Sequence, residues 1–390
     1  MKKIYIITNS SFPFGNANSN YIRYFSLALL SAGWQVSVIG SDMNSGKAES
    51  GNYNGIEFQN IKLPSFRFPF HLRDHLFYGS ELKKVLSKIK IEKDAYVFVY
   101  SMYLDLVKTV FEETKHLEKG HLSMVMVEWF QPFQYRFGRL NPDYQCWKYT
   151  FEKLATRYPK VIPISRKLGE FYSQAGCDVL VLPIMADVEN NVNDLPPKKF
   201  DGIFDFIYPG DANKKDTFDG LLEAIGELSE EEIGRVRFHF TLLSEDNADA
   251  MISNKKLDAQ KIKKALVFHG RLEYSKLLEL YKTVDFLFIP REKNVVTLSN
   301  FPSKIPELMC YGVVPVCSRV GDYADLYLSD GTDSIIFDGA DKDGCLDGLK
   351  RVLSMTEHEL DTMKSNAVRC ACEKFDYHNW SKKIEEFILG

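Results

Sequence analysis

The chain has 390 residues, 45% of them hydrophobic and 26% charged, and its 49 Lys and Arg against 53 Asp and Glu leave a net charge of −4. That length suits two domains, each large enough for its own core, and the charge balance excludes a global basic field that would draw nucleic acid or anionic lipid. No stretch reaches the roughly 18 apolar residues of a membrane span, and the run Ile4 to Ile7 is too short for a signal segment. Seven cysteines are scattered without a paired C-x-x-C, and an odd count of this kind suggests reduced thiols in a cytosol.

Lys3 to Thr8 is predicted to be a buried strand, followed by a loop from Asn9 to Asn20 rich in Ser, Asn, Pro and Gly. Gly15 and Asn16 would let that loop approach a phosphate or sugar closely. Tyr21 to Ala32 is predicted as an amphipathic helix stopped by Gly33, and Trp34 to Ile39 as a second strand. Arg23 could face an anionic acceptor or be a solvated helix charge. This strand–loop–helix–strand unit is of the dinucleotide-fold kind but lacks G-x-G-x-x-G, which argues against a nicotinamide dehydrogenase. Residues 60–80 interleave Phe66, Phe68 and Phe70 with His71, Arg73 and His75. They read as a hairpin and core helix, or as a membrane-surface patch. His71 and His75 have metal-capable spacing but no third ligand beside them, so a metal is discounted.

Ala95 to Tyr100 and Leu122 to Val127 are further strands. Glu128 follows the second, at the strand end where open parallel sheets place functional groups, although an ordinary turn carboxylate would sit there too. Val161 to Ser165 is a strand, Arg166 to Ser173 a helix, and Leu180 to Met185 another strand. The polar, proline-bearing stretch Asp187 to Gly202 reads as a linker.

The second half opens with a strand, Phe204 to Tyr208, then Pro209-Gly210-Asp211-Ala212-Asn213-Lys214-Lys215-Asp216 and a helix from Phe218 to Leu228. A lysine at a helix start adds a cation where the dipole already favours anions. Strands follow at Val236 to Leu242, Ala265 to Gly270 and Phe286 to Pro290, with a helix from Tyr274 to Thr283. Arg291, at the end of the last of these strands, is a second cation candidate for phosphate. The stretch Ser299 to Val316 is the most informative. Asn300 and Ser303 are helix-capping types, Gly312 suits a left-handed end, and Val313 to Cys317 is a β-branched run fit for a buried strand. A loop feeding a helix start gathers backbone N–H groups into an anion site, and Glu307, one turn in, could accept two hydrogen bonds from a ribose diol. An ordinary surface glutamate remains the alternative. The tail from Glu357 to Leu389 is helical by pattern.

The motif S-N-F-P-S-K-I-P-E-L-M-C-Y-G-V-V-P-V resembles that of the retaining, family 4-like glycosyltransferases of GT-B fold, with Phe301, Glu307, Met309, Gly312, Pro315 and Val316 in register. Ser299 stands where that family carries its first glutamate. The loop Phe12-Pro13-Phe14-Gly15 resembles the F-P-x-G opening of the same family, and the F-P-[ST]-K form, the run Val127-Glu128-Trp129 and Lys214-Lys215-Asp216 are similar to its bacterial surface-polysaccharide branch. Asp211 stands where an arginine is usual.

The resemblance implies an α/β protein of two doubly wound Rossmann-like domains facing a cleft. An acceptor-binding domain would span about 1–190, with a crossing helix at about 375–390. A nucleotide-sugar domain would span about 200–374. It implies a retaining transfer from a nucleotide-diphosphate sugar to a glycan or lipid-linked acceptor in surface-polysaccharide assembly. Lys215, Glu128 and Arg291 would be catalytic. Glu307 would hold the ribose, and Ser299, Asn300, Phe301, Pro302, Ser303, Lys304, Lys214 and Gly210 would line the donor. Gly15, Asn16 and Arg23 would form the acceptor and phosphate loop. Neither a cofactor nor a metal is expected, and no nucleic-acid partner. The expected location is cytoplasmic, with a peripheral contact to the membrane's inner face left open. A nucleotide-sugar epimerase or phosphorylase of the same fold, and a non-catalytic sugar-nucleotide-binding subunit, are the alternatives.

Overall fold

The first sheet is built outward from a strand with almost no exposed side chain. The computed structural model describes residues 2–42, 49–62, 72–192, 200–210 and 215–390, divided into two units, Met1–Met185 with Tyr377–Gly390, and Ala186–Asp376. In the first unit the strands are β1 (Lys3–Thr8), β2 (Gln35–Asp42), β3 (Ser50–Tyr53), β4 (Ile56–Lys62), β5 (Tyr96–Tyr100), β6 (Leu122–Met126), β7 (Lys160–Pro163) and β8 (Asp178–Val179). They order as β3-β4-β2-β1-β5-β6-β7-β8, every neighbour parallel except β3 with β4. Ile4 pairs with Val36 on one side and Tyr96 on the other, and Ile4, Val36, Val97 and Val99 have no exposed surface, which is how a central parallel strand reads. The strand order reverses between β1 and β5, so the loops leaving these two strands flank a crevice at their carboxyl ends.

The chain closes on its own beginning. The last helix, His378–Leu389, packs on the first, Ala17–Ser31, with the Ser31 and Ser381 hydroxyls 2.7 Å apart. Lys160 Nζ donates to the terminal carbonyls of Phe387 (2.8 Å) and Ile388 (2.7 Å), groups that a helix end leaves unpaired.

The second unit holds β9 (Phe204–Tyr208), β10 (Val236–Phe240), β11 (Leu266–Phe268), β12 (Phe286–Ile289), β13 (Val314–Ser318) and β14 (Ile335–Phe337). All pair in parallel, in the order β11-β10-β9-β12-β13-β14. This is the doubly wound order of a nucleotide-binding sheet, with its switch point between β9 and β12. Its core is phenylalanine: the Phe206 ring stacks on Phe238 at 4.5 Å and on Phe286 at 5.1 Å. The helices Asp219–Glu227 and Lys342–Leu353 carry glycines where the turn 338–341 passes close. A Cβ on Gly220 would lie 2.3 Å from the Ala340 carbonyl, and one on Gly344 2.1 Å from that of Asp338.

Several sequence expectations change. Leu180 to Met185 is not a strand. The ladder ends at Val179, after which only Leu180 and Leu182 donate to β7, and Pro183 has no N–H to continue it. The first helix starts at Ala17, four residues before the expected Tyr21, because Asn16 caps it. The hairpin β3–β4, with exposed polar residues, and strand β14, an apolar run of only three residues, add to the expected strands. The helical tail breaks at Phe375–Tyr377 into two helices, Glu357–Lys374 and His378–Leu389. Neither Asn300 nor Ser303 caps the helix Lys304–Met309: Ser303 has helical backbone angles and no capping bond, and the Asn300 side chain is engaged elsewhere. Gly312, at φ +72°, ends that segment in the left-handed region.

Candidate active site

At the switch point of the second unit, four side chains meet, from the ends of two strands and the start of one helix. Asp216, which follows β9, is 2% exposed, and its carboxylate accepts from the hydroxyl of Tyr208 and from Arg291 Nε, the residue that follows β12. Lys304 Nζ lies 3.6 Å from the same carboxylate, donates to Tyr208 Oη at 3.2 Å, and sits 4.4 Å over that ring. The backbone of Arg291 is in turn fixed by Ser318 at the end of β13, whose Oγ accepts from Arg291 N and donates to Arg291 O, both at 2.8 Å. Gly210 is where Lys304 passes: a Cβ there would come within 2.7 Å of Lys304 Cε.

The electrostatics follow from burial. Burial pushes the Asp216 carboxyl up, but Arg291 and Lys304 overcome that and hold it well below the usual carboxylate range. Burial pulls the Lys304 ammonium below its ordinary value, with Arg291 and Lys215 adding to the effect and Asp216 opposing it. Lys215 is therefore close enough to be felt by Lys304, and it is itself half-buried. Two cationic side chains contact one buried carboxylate and Lys215 stands near enough to act on Lys304, so the cluster carries a net positive charge, with the Lys304 side chain still 20% exposed. That is the electrostatic requirement for holding a diphosphate.

Around this cluster, Arg291 Nη1 donates to Asn300 Oδ1 at 3.0 Å, which ties the 299–303 loop to the charge network. Phe301 is buried against Tyr323, Tyr327 and Phe375, and Pro302 is buried beside it. Ser299 is fully buried, and its hydroxyl has no hydrogen-bond partner among the described residues. Glu307 is half-buried, the fourth residue of the helix Lys304–Met309, and its charge raises the pKa of the buried Tyr281 after burial itself. Lys214 lies outside the described residues.

The remaining candidates stand in the first unit. Asn16 is used by the fold: its Oδ1 accepts from Asn18 N (3.0 Å) and Ser19 N (3.2 Å), and its N–H donates to Ser19 Oγ. Gly15 is needed for that box, since a Cβ would lie 2.6 Å from Ser19 Oγ. Arg23 is 6% exposed, donates to Tyr24 Oη at 3.1 Å and lies over the Phe14 ring, so it is not a solvated helix charge. Glu128 is half-buried just past β6. It stands near Tyr100, whose pKa is raised by burial, then by Tyr21 and Glu128, and whose hydroxyl donates to Asn18 Oδ1 at 3.0 Å. The pair Asn60 and Gly40 went unnoticed in the sequence. Asn60 clamps Phe12 through N–H to Oδ1 (3.1 Å) and Nδ2 to O (2.8 Å), and Gly40 leaves it room. Phe66, Phe68, Phe70 and His71 lie outside the described residues. His75 is buried and its Nδ1 accepts from Leu104 N at 3.3 Å. Among the described residues no group of three His, Cys, Asp or Glu side chains could hold a metal, and no helix is long and apolar enough to cross a membrane.

Residues 204–355 match the family described as Glycosyl transferases group 1. Similar solved structures include a sucrose-phosphate synthase from Thermosynechococcus elongatus, with TM-score 0.73 and 11% identity, covering 100% of this chain and 98% of that one. A trehalose-6-phosphate structure from E. coli bound with UDP-2-fluoro glucose has TM-score 0.72, 12% identity and coverage of 100% and 99%. The lipopolysaccharide outer core galactosyltransferase WaaB has TM-score 0.64, 14% identity and coverage of 99% of both chains. A search of curated protein sequences gives no match. The second unit thus carries a group 1 glycosyltransferase domain, and the whole chain has the two-domain GT-B fold of these solved structures.

Proposed function

We propose that the enzyme moves a sugar from a nucleotide-diphosphate donor to a glycan or lipid-linked acceptor in surface-polysaccharide assembly, with retention at the anomeric carbon. The observation that carries the donor side is the pairing of Asp216 with Arg291 and Lys304, with Lys215 near Lys304, at the switch point of the group 1 domain. A departing nucleoside diphosphate gains charge as the glycosidic bond breaks, and fixed cations at that point stabilise the transition state more than the bound donor. Lys215 and Lys304 face that charge, Arg291 positions them through Asp216 and orders the loop through Asn300, and Glu307 accepts from the ribose diol. With the diphosphate charge met by side chains, the reaction is expected to persist in EDTA. The polysaccharide reading is supported by the F-P-S-K motif and by the likeness to the outer core galactosyltransferase, and Glu128, just past β6, is the proposed catalytic carboxylate.

The test is a thermal-shift panel of UDP, GDP, ADP and CMP on the wild type and Glu307→Ala, followed by turnover with donors of the base that binds. Glu307→Ala should weaken the nucleotide by about 1.5–3 kcal/mol. Lys215→Ala should lower kcat more than donor affinity. No shift with any nucleotide, or unchanged turnover in Lys215→Ala, would remove the donor-site assignment. The anomeric configuration of the product, read by NMR, decides retention.

A further inference from the structure

We infer that Phe375 and Asp376, the last two residues of the second unit, are positioning residues for the donor loop 299–303, and that a nucleotide bound at that loop also steadies the segments by which the chain enters and leaves the unit. The inference rests on the donor reading above and concerns residues outside the Asp216 cluster. The loop is held from two sides. On one, Arg291 Nη1 donates to Asn300 Oδ1 at 3.0 Å, and Arg291 Nε donates to Asp216. On the other, the Phe301 ring meets three rings edge to face: Tyr323 at 6.1 Å, Tyr327 at 5.6 Å and Phe375 at 5.8 Å. Tyr327 and Phe375 also touch each other, at 5.4 Å. Phe301, Tyr323 and Phe375 are buried, so a shift of Phe301 must be taken up by its neighbours, because packed interiors do not deform continuously. The helix Glu357–Lys374 fixes the cluster further, since Cys370 Sγ and Lys374 Nζ both donate to the Tyr327 carbonyl.

The far side of the ring cluster is the unit's entry and exit. Ala186, the first residue of the unit, donates its N–H to the Phe375 carbonyl at 2.9 Å and pairs in parallel with Asp376. The Asp376 carboxylate accepts from Val188 N at 3.0 Å and from Glu189 N at 3.4 Å. These are the first two amides of the helix Val188–Val192, donors that a helix start leaves unpaired. Asp376 and Val188 are both buried. Entry and exit are thus bonded to each other through the residue that packs on Phe301 and the residue after it. A nucleotide that orders the loop fixes Phe301, Phe301 fixes Phe375, and the Phe375 carbonyl and Asp376 hold 186–189. Such coupling is reciprocal: loosening 375–376 must weaken the nucleotide to the extent that the nucleotide tightens 375–376.

Amide exchange of the full chain, with and without the nucleoside diphosphate that gives the largest thermal shift, tests it. In the wild type, saturating nucleotide should slow exchange at 186–189 and 375–376 as well as at 299–303. Phe375→Leu keeps an apolar side chain but loses the ring contacts with Phe301 and Tyr327. Its protection should remain at 299–303 and be largely lost at 186–189, and its Kd for the nucleotide should rise about threefold or more, as for a loop ordered only a third of the time. Phe238→Leu, which removes a ring stacked on Phe206 in the same sheet, controls for lost stability: it should lower Tm but leave Kd and the protection at 186–189 as in the wild type. Asp376→Ala should act like Phe375→Leu at 186–189. Asp376→Asn, which keeps one oxygen for the Val188 N–H, should restore most of the protection. Absence of slowing at 186–189 in the wild type, wild-type Kd and protection in Phe375→Leu, or the same losses in Phe238→Leu would overturn the inference and leave the donor site standing. If Phe375→Leu does not fold, unchanged protection at 186–189 in Asp376→Ala overturns it equally. No thermal shift with any nucleotide would overturn the inference and the donor reading together.

Discussion

At the scale of single residues the molecule turns on Asp216, a buried carboxylate that neutralises part of a cationic cluster. Removing one partner of a buried ion pair costs about 3–5 kcal/mol, because the other is left uncompensated. Asp216→Asn should therefore lower stability by about that amount in chemical denaturation at neutral pH. The carboxyl's pKa is depressed on folding, so its contribution is present in full above the unfolded value near pH 4 and fades as the pH falls further. The difference between wild type and variant should shrink on acidification accordingly. A nucleoside diphosphate brings the missing negative charge. It should raise the melting temperature of Asp216→Asn more than that of the wild type. An equal or smaller rise would mean that Arg291 and Lys304 serve only the fold. The sequence marked the cations but not the group that holds them: Lys215 and Arg291 stand out as charges after strands, whereas the role of Asp216 requires strands β9 and β12 to be neighbours, 75 residues apart.

At the scale of elements, the strands that could be read were those buried on both faces. Phe204–Tyr208, apolar but for Asp205, and Lys3–Thr8, apolar between its end residues, have no competing pattern, and their expected bounds match the structure. The hairpin β3–β4 sits at the sheet edge with half-exposed side chains, and its sequence S-G-N-Y looks like a loop. Edge elements also carry the clearest pH signal. His239 bridges Asp205 (3.0 Å) and His269 (2.8 Å) across β9, β10 and the end of β11, flanked by Arg237. The close ring contact needs one nitrogen without a proton. Burial first, then His239, lowers the pKa of His269 below 6.5. A depressed folded value means stability that is complete above the unfolded pKa and is lost as pH falls through the folded one. His269→Asn should flatten the pH dependence of stability between about pH 7 and 5, and an unchanged slope would assign that titration elsewhere. The last helix offers a second check. Lys160 donates to two of its terminal carbonyls, and hydrogen bonds to a charged group contribute about 1.5–3 kcal/mol each at most. Lys160→Met should speed amide exchange in His378–Leu389 selectively. Exchange no faster than in the wild type would mean that the packing on Ala17–Ser31 suffices to hold the helix.

At the scale of the whole molecule, the chain begins and ends in the same unit, while residues 186–376 form the other. Alternating strand and helix patterns with a polar stretch near 187–202 made two α/β sheets legible, since periodicity survives without any knowledge of contacts. The pairing order of each sheet was not legible, because parallel strands are joined by crossovers and their neighbours are far apart in sequence. That order is what locates the Asp216 cluster: only with β12 beside β9 do Arg291 and Asp216 meet. A footprint of the nucleotide should respect the same geometry. Saturating nucleoside diphosphate should slow amide exchange in the segments leaving β9 and β12 and in 299–309, and leave the β1–β5–β6 strands of the first unit unchanged. Ligand protection scales with occupancy, as RT ln(1 + [L]/Kd), so amides that open only with the second unit should gain the full increment. Protection confined to residues 9–23 and 128 instead would transfer the nucleotide to the first unit's crevice, and the Asp216 cluster would be left as a structural ion network.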